Sequence, residues 1–142
     1  MSDADLSDTS SEVVLYIYDM SKGMAKAFSA MFLGKELPGI WHTSVIAYDR
    51  EYFFGAAGIE SCNTGGTTLG EPDQIYPLGK CQLPYSLFLE YLFSMGDSTF
   101  APGTYNLFEH NCNNFSNELS LFLTGRPIPQ EIIDLPQEVL NT

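Results

Sequence analysis

The sequence predicts an α+β domain, a small antiparallel sheet packed with helices, and three observations carry that prediction. Val13-Val14-Leu15-Tyr16-Ile17-Tyr18 is a short β-branched and aromatic run ending at Asp19, as a buried strand would be. Trp41 to Tyr48 and Glu51 to Gly55 are two more short apolar runs, joined at Asp49-Arg50 as a hairpin. After Asn111, by contrast, Phe115, Leu119, Phe122 and Leu123 recur at helical offsets and Gly125 follows as a C′ stop. Strands joined by tight turns, with helices set apart from them, make an antiparallel sheet with helices on it. At 142 residues the chain is one domain with room for an ordinary core.

The elements follow in order. Residues 1–12 are Ser-rich and carry Asp3, Asp5, Asp8 and Glu12, a composition expected of a disordered acidic tail, so the folded domain is assigned to 13–142. Gly23 breaks the first strand, and Met24, Phe28, Met31 and Phe32 predict a helix that Gly34 ends. Pro38-Gly39 leads into the second strand. Residues 56–73, rich in Gly, Thr and Ser, read as one long loop. Gln74 to Leu78 reads as a short strand that Pro77 confines to an edge. Leu83 to Met95 is a helix with Pro84 near its first position, an inner face of Leu87, Tyr91 and either Phe88 or Met95, and Gly96 at its end. A short strand, Tyr105 to Phe108, feeds the helix that begins at Cys112. Pro127, Pro129 and Pro136 bound a short helix around Glu131-Ile132-Ile133.

Charge excludes several functions. Six Lys and Arg against eighteen Asp and Glu give a net charge of −12, which argues against nucleic acid and anionic membrane surfaces. The opening residues lack the basic and apolar regions of a signal peptide, and no apolar stretch is long enough for a membrane span. Three cysteines form no disulfide framework and read as free thiols in a reducing compartment, cytoplasmic and nuclear.

The chemistry concentrates at Asn106-Leu107-Phe108-Glu109-His110-Asn111-Cys112-Asn113. Asn111 reads as an N-cap, which puts Cys112 in the first helical turn. There, unpaired backbone N–H groups and the positive end of the helix dipole favour an anion, hence a thiolate. His42, on the second strand beside Trp41, is the partner a thiol hydrolase needs: an imidazole to take the thiol proton and return it to a leaving amine. Cys112 as a plain small apolar residue is the competing reading. His110 should point away from the sulfur and is assigned a structural or solvent role. No Asn or Asp stands where a third residue would orient His42, so a dyad is expected, with Asp49 and Glu51 as solvated turn charges. Asn106 could donate to an oxyanion or simply tie down the turn, and both readings stand. His110, Cys112, Cys62 and Cys81 lack paired metal-ligand spacing, so neither metal nor cofactor is expected. Gly65-Gly66 lacks the following Lys-Ser/Thr of a phosphate loop.

Gly39-Ile40-Trp41-His42-Thr43-Ser44, Phe53-Phe54-Gly55, Tyr105-Asn106-Leu107, His110-Asn111-Cys112-Asn113 and Leu123-Thr124-Gly125-Arg126 together resemble the PPPDE peptidases, above all the desumoylating isopeptidases, over residues 12–140. The resemblance implies a circularly permuted papain-like fold and a Cys–His dyad with Cys112 as nucleophile and His42 as acid and base. It implies cleavage of the isopeptide bond between SUMO, or ubiquitin, and a target lysine, by a homodimer whose groove lies near the subunit interface. A diglycine tail needs a narrow slot, for which Trp41, Phe54, Gly55 and Gly58 are the candidate walls. Two other functions fit the same residues. One is a protein S-acyl thioesterase using the same dyad, which would want an apolar channel. The other is a non-catalytic protein-binding module. The charge of −12 offers no steering toward a ubiquitin-like partner.

Overall fold

The structure is a computed structural model describing residues 11–22, 39–107 and 109–140, with side chains to 135. The expected helix at 24–32 and residues 1–10 of the expected tail lie outside the described residues. Five strands form one antiparallel sheet: β1 (Ser11–Asp19), β2 (Trp41–Ala47), β3 (Arg50–Gly55), β4 (Gly58–Asn63) and β5 (Gln74–Cys81), in the order β4-β3-β2-β1-β5. Three helices follow among the described residues: α1 (Tyr85–Gly96), α2 (Cys112–Thr124) and α3 (Gln130–Leu140).

Side-chain alternation divides the strands between two faces. Val13, Leu15 and Ile17 of β1, Val45 and Ala47 of β2, and Tyr52 and Phe54 of β3 point to one side, where α2 packs Phe115, Leu119 and Leu123 against them. Phe88 and Phe100 complete this core. Each such side chain taken from water contributes about 1.5–3 kcal/mol, which seats the helix firmly. Tyr18, His42 and Glu51 belong to the other face. The β2–β3 hairpin turns through Tyr48 (φ 50) and Asp49 (φ 62), the twin left-handed residues of a type I′ turn.

Several expectations shift. Ser11 and Glu12, expected in the tail, belong to β1. The loop expected over 56–73 contains β4, which is held by backbone pairing to β3. As a largely exposed edge strand it carries no apolar alternation to betray it. Tyr105 to Phe108 is not a strand: an isolated bridge joins Asn106 to His110, and Phe108 lies outside the described residues. Pro84 is the N-cap of α1. This helix buries Phe88 and Met95 and leaves Leu87 47% exposed. Phe122 leaves the core too; its ring stacks on Tyr91 of α1 at 3.6 Å. α3 runs on through Pro136, which interrupts only one i to i−4 hydrogen bond.

Candidate active site

Cys112 is the first residue of α2, and its position is fixed by a reciprocal cap. The Asn111 side chain accepts from the N–H groups of Asn113 (2.9 Å) and Asn114 (3.2 Å), and Asn111 N–H donates to Asn114 Oδ1 at 2.8 Å. Asn111 Nδ2 also donates to the Leu107 carbonyl at 2.8 Å, which ties the cap to the preceding turn. Asn111 before the cysteine and Asn113 and Asn114 after it are therefore locked before any substrate arrives.

The sulfur is buried, with Cys112 only 4% exposed. Its thiol donates to Asn113 Oδ1 at 3.6 Å. The Tyr105 hydroxyl and the backbone N–H groups of Thr43, Asn113 and Cys112 itself all favour the thiolate. Burial outweighs them and pushes the Cys112 thiol up from its ordinary value. This corrects the expectation from the helix dipole alone: the donors are present, but in the resting molecule desolvation wins. Tyr105 responds to the same enclosure, and burial with the neighbouring thiol pushes its hydroxyl up to about 12.

The start of β2 is fastened to α2 next to this sulfur. The Thr43 hydroxyl donates to Asn113 Oδ1 at 2.7 Å and shares a hydrogen bond with Ser116 Oγ at 2.8 Å, all three residues being buried. Asn113 Nδ2 donates to the Trp41 carbonyl at 3.2 Å. Pairing between β2 and β3 stops at Val45↔Tyr52, so residues 41–44 have no partner in β3. The Thr43 N–H on that open side meets the sulfur.

His42 precedes Thr43, and alternation turns its side chain to the other face. Its ring lies 5.8 Å from Tyr18 and 6.1 Å from Phe53, centroid to centroid, between β1 and the parted β3. Burial pushes the imidazole below its ordinary value, and the Glu51 charge opposes this. Among the described residues no hydrogen bond joins the His42 ring to Cys112 Sγ. Thr43, the residue after His42, is the part of β2 that meets Cys112.

The remaining candidates divide. Asn106 closes the turn, exchanging backbone bonds with His110 at 2.8 and 2.9 Å and accepting the Glu109 N–H on Oδ1 at 3.1 Å. The hydroxyl at the sulfur belongs to its neighbour Tyr105, which sequence spacing passed over; an aromatic hydroxyl just ahead of the cysteine turn was the available signal. Trp41 is half-buried against Gly39, where an added Cβ would come within 2.8 Å of the ring. Gly55 is half-exposed with open space beside it. Gly58 is a hairpin residue at φ 94, packed under Pro102. Phe54 is no groove wall: it is 1% exposed and surrounded by Phe100, Tyr105, His110 and Phe115, because the inward phase of β3 falls on it. His110 is structural, stacked on Phe100 at 4.5 Å with Nε2 2.6 Å from the Thr99 carbonyl. Glu51, expected in solvent, is fully buried. Cys81 is buried beside Tyr48, Cys62 is half-buried, and among the described residues no His, Cys, Asp and Glu cluster could hold a metal.

Comparison with known proteins bears on this arrangement. Residues 11–142 match the family model for the PPPDE peptidase domain. The chain is 56% identical over 130 residues to desumoylating isopeptidase 1 of Homo sapiens, covering 92% of this chain and 77% of that protein. The same protein of Xenopus laevis is 55% identical over 130 residues, with the same coverage. The DeSI-like protein sdu1 of Schizosaccharomyces pombe is 30% identical over 128 residues, covering 83% of this chain and 60% of that protein.

Proposed function

The chain belongs to the PPPDE peptidase family, and from that premise we propose that it is a cysteine isopeptidase that removes SUMO from target lysines, with Cys112 as nucleophile and His42 as acid and base. The observation that carries this is the setting of Cys112: a cysteine at a doubly capped helix start, with Thr43 N–H and the Tyr105 hydroxyl directed at its sulfur. The names of the 56% identical relatives supply the modifier.

In this reading the Cys112 proton passes to His42. The sulfur attacks the carbonyl of the modifier's C-terminal residue. The Cys112 N–H and the Tyr105 hydroxyl take up the oxyanion, and His42 gives its proton to the departing lysine amine. Water, deprotonated by His42, then cleaves the thioester and frees the modifier. Because burial favours the neutral thiol and the neutral imidazole, the ion pair is a minor population at rest, and bound substrate enlarges it. The homodimer implied by the family resemblance, and the cytoplasmic and nuclear residence read from the free thiols, belong to this proposal.

Electrophilic probes test it. A SUMO probe with a C-terminal electrophile should label the wild-type protein at Cys112 and leave Cys112→Ser unlabelled. Labelling only by a ubiquitin probe would replace the modifier, turnover only of an acyl thioester would make the protein a thioesterase, and no labelling at Cys112 by any of them would leave a binding module.

A further inference from the structure

Glu51 is the buried group that the reaction as described leaves unused. It lies on β3 with 0% exposure. Tyr18 Oη donates to its Oε2 at 2.6 Å and the Gly65 N–H donates to Oε1 at 3.0 Å. The first distance is in the range of a hydroxyl bonded to a charged carboxylate. Yet among the described residues no Lys or Arg pairs with it; Arg50, its neighbour in sequence, is bonded to Ser61 and Asn63 instead. A buried carboxylate without a cation is costly. It lies on the His42 face of the sheet, and the Tyr18 ring that touches His42 at 5.8 Å is the ring whose hydroxyl it holds.

Among the described residues, Glu51 is the charged group that acts on the His42 imidazole. From β1 the titratable neighbours are Tyr18, with Tyr16 beyond it at 6.4 Å, and from β3 the neighbour is Phe53, which is apolar. Asp19, at the end of β1, accepts on Oδ1 from the Ser21 and Ile40 N–H groups. Cys62 of β4 is opposite Glu51 in register.

We propose that Glu51 is a positioning residue for the hydrolysis: its buried charge favours protonated His42, and its bond to Gly65 holds the glycine-rich loop against the same face. The inference rests on the Cys112–His42 pair of the preceding section. The step it assists is balanced: one proton leaves Cys112 Sγ and joins the imidazole, giving thiolate and imidazolium, while the Glu51 carboxylate is unchanged and attracts the new cation. The same contribution appears in the resting molecule, where Glu51 pushes the His42 imidazole up against the effect of burial.

Iodoacetamide alkylation of Cys112, followed from pH 5 to 9, tests this without requiring a known substrate. A thiolate–imidazolium population gives reactivity that persists below the ordinary thiol range. Glu51→Gln keeps the volume and an acceptor for Tyr18 but removes the charge. It should lower the Cys112 rate at pH 6 by about fivefold or more, with the rate at pH 9 changed less than about twofold. Glu51→Asp keeps the charge and should retain the wild-type profile, which tests the proposal even if the Gln variant does not fold. A Gln profile that overlays wild type, or an Asp profile that loses its low-pH reactivity, would overturn the role of Glu51 alone. A wild-type profile identical to that of His42→Ala would overturn the pair itself, and this inference with it.

Discussion

The two faces of the sheet are built by different rules. The face toward α2 is apolar and periodic: Val13, Leu15 and Ile17 meet Phe115, Leu119 and Leu123, and the helix is seated by area. The face carrying His42 is held by polar bonds between buried groups. Tyr18, fully buried, reaches Glu51; Glu51 reaches Gly65; and Asp73, from the same loop, takes the Asp19 N–H at 2.6 Å. The helix face brings Cys112 to β2, and the polar face holds His42. In the proposed reaction Cys112 needs only to be placed, whereas His42 must exchange a proton, so its surroundings combine burial with fixed charge.

The largest expected effect breaks the helix side. Cys112→Ser should abolish hydrolysis and probe labelling while the melting temperature stays close to wild type, because the hydroxyl is nearly isosteric and its cap is untouched. Retained labelling would mean that the nucleophile lies elsewhere. Next is Tyr105→Phe, which removes one donor at the sulfur while keeping the ring. A loss of about 10- to 100-fold in kcat with little change in KM is expected, and steady-state kinetics on a SUMO C-terminal amide would measure it. Unchanged kcat would reduce Tyr105 to a packing residue.

Smaller effects sharpen the contrast through stability. Asn111→Ala removes both helix-cap bonds and should cost about 1 kcal/mol or somewhat more in denaturant unfolding, with activity per folded molecule reduced because Cys112 is no longer fixed. Asn106→Ala should lower the melting temperature but spare activity per folded molecule, since its side chain closes the turn. A loss of about 100-fold in kcat would restore it as the oxyanion donor. The polar face should also show itself in acid. A buried imidazole pushed below its ordinary value of 6.5 takes up its proton later than the unfolded chain does. Its contribution to stability is therefore complete above that value and lost as pH falls below it. His42→Asn should flatten this part of a stability–pH curve.

The same division explains what was legible in the sequence. Core strands and α2 were legible because their period reports burial, and the cap at Asn111 because its chemistry is local. Cys112 and His42 stood out as residue types. Glu51 did not: in a sequence it is a charge beside a turn, and only the return of residues 64–73 across the sheet encloses it. Phe54 looked like a groove wall beside Gly55, and one residue of strand phase decides that it is core. β4 was hidden because an edge strand paired through its backbone needs no apolar pattern. The parting of β2 from β3 above Val45, which leaves His42 and Thr43 without a partner in β3, depends on sheet register and is invisible to composition.

The central claim is that the base comes from the far face of the sheet and not from the turn beside the cysteine. One measurement tests it most directly: hydrolysis of a SUMO C-terminal amide by His42→Ala and His110→Ala, each scaled to folded protein. His42→Ala should lose at least ~10³-fold, since it removes both the acceptor of the thiol proton and the donor to the leaving amine. His110→Ala should lose less than about tenfold, because it disturbs only the stack on Phe100 and leaves the Asn111 cap in place. The reverse order would contradict the account.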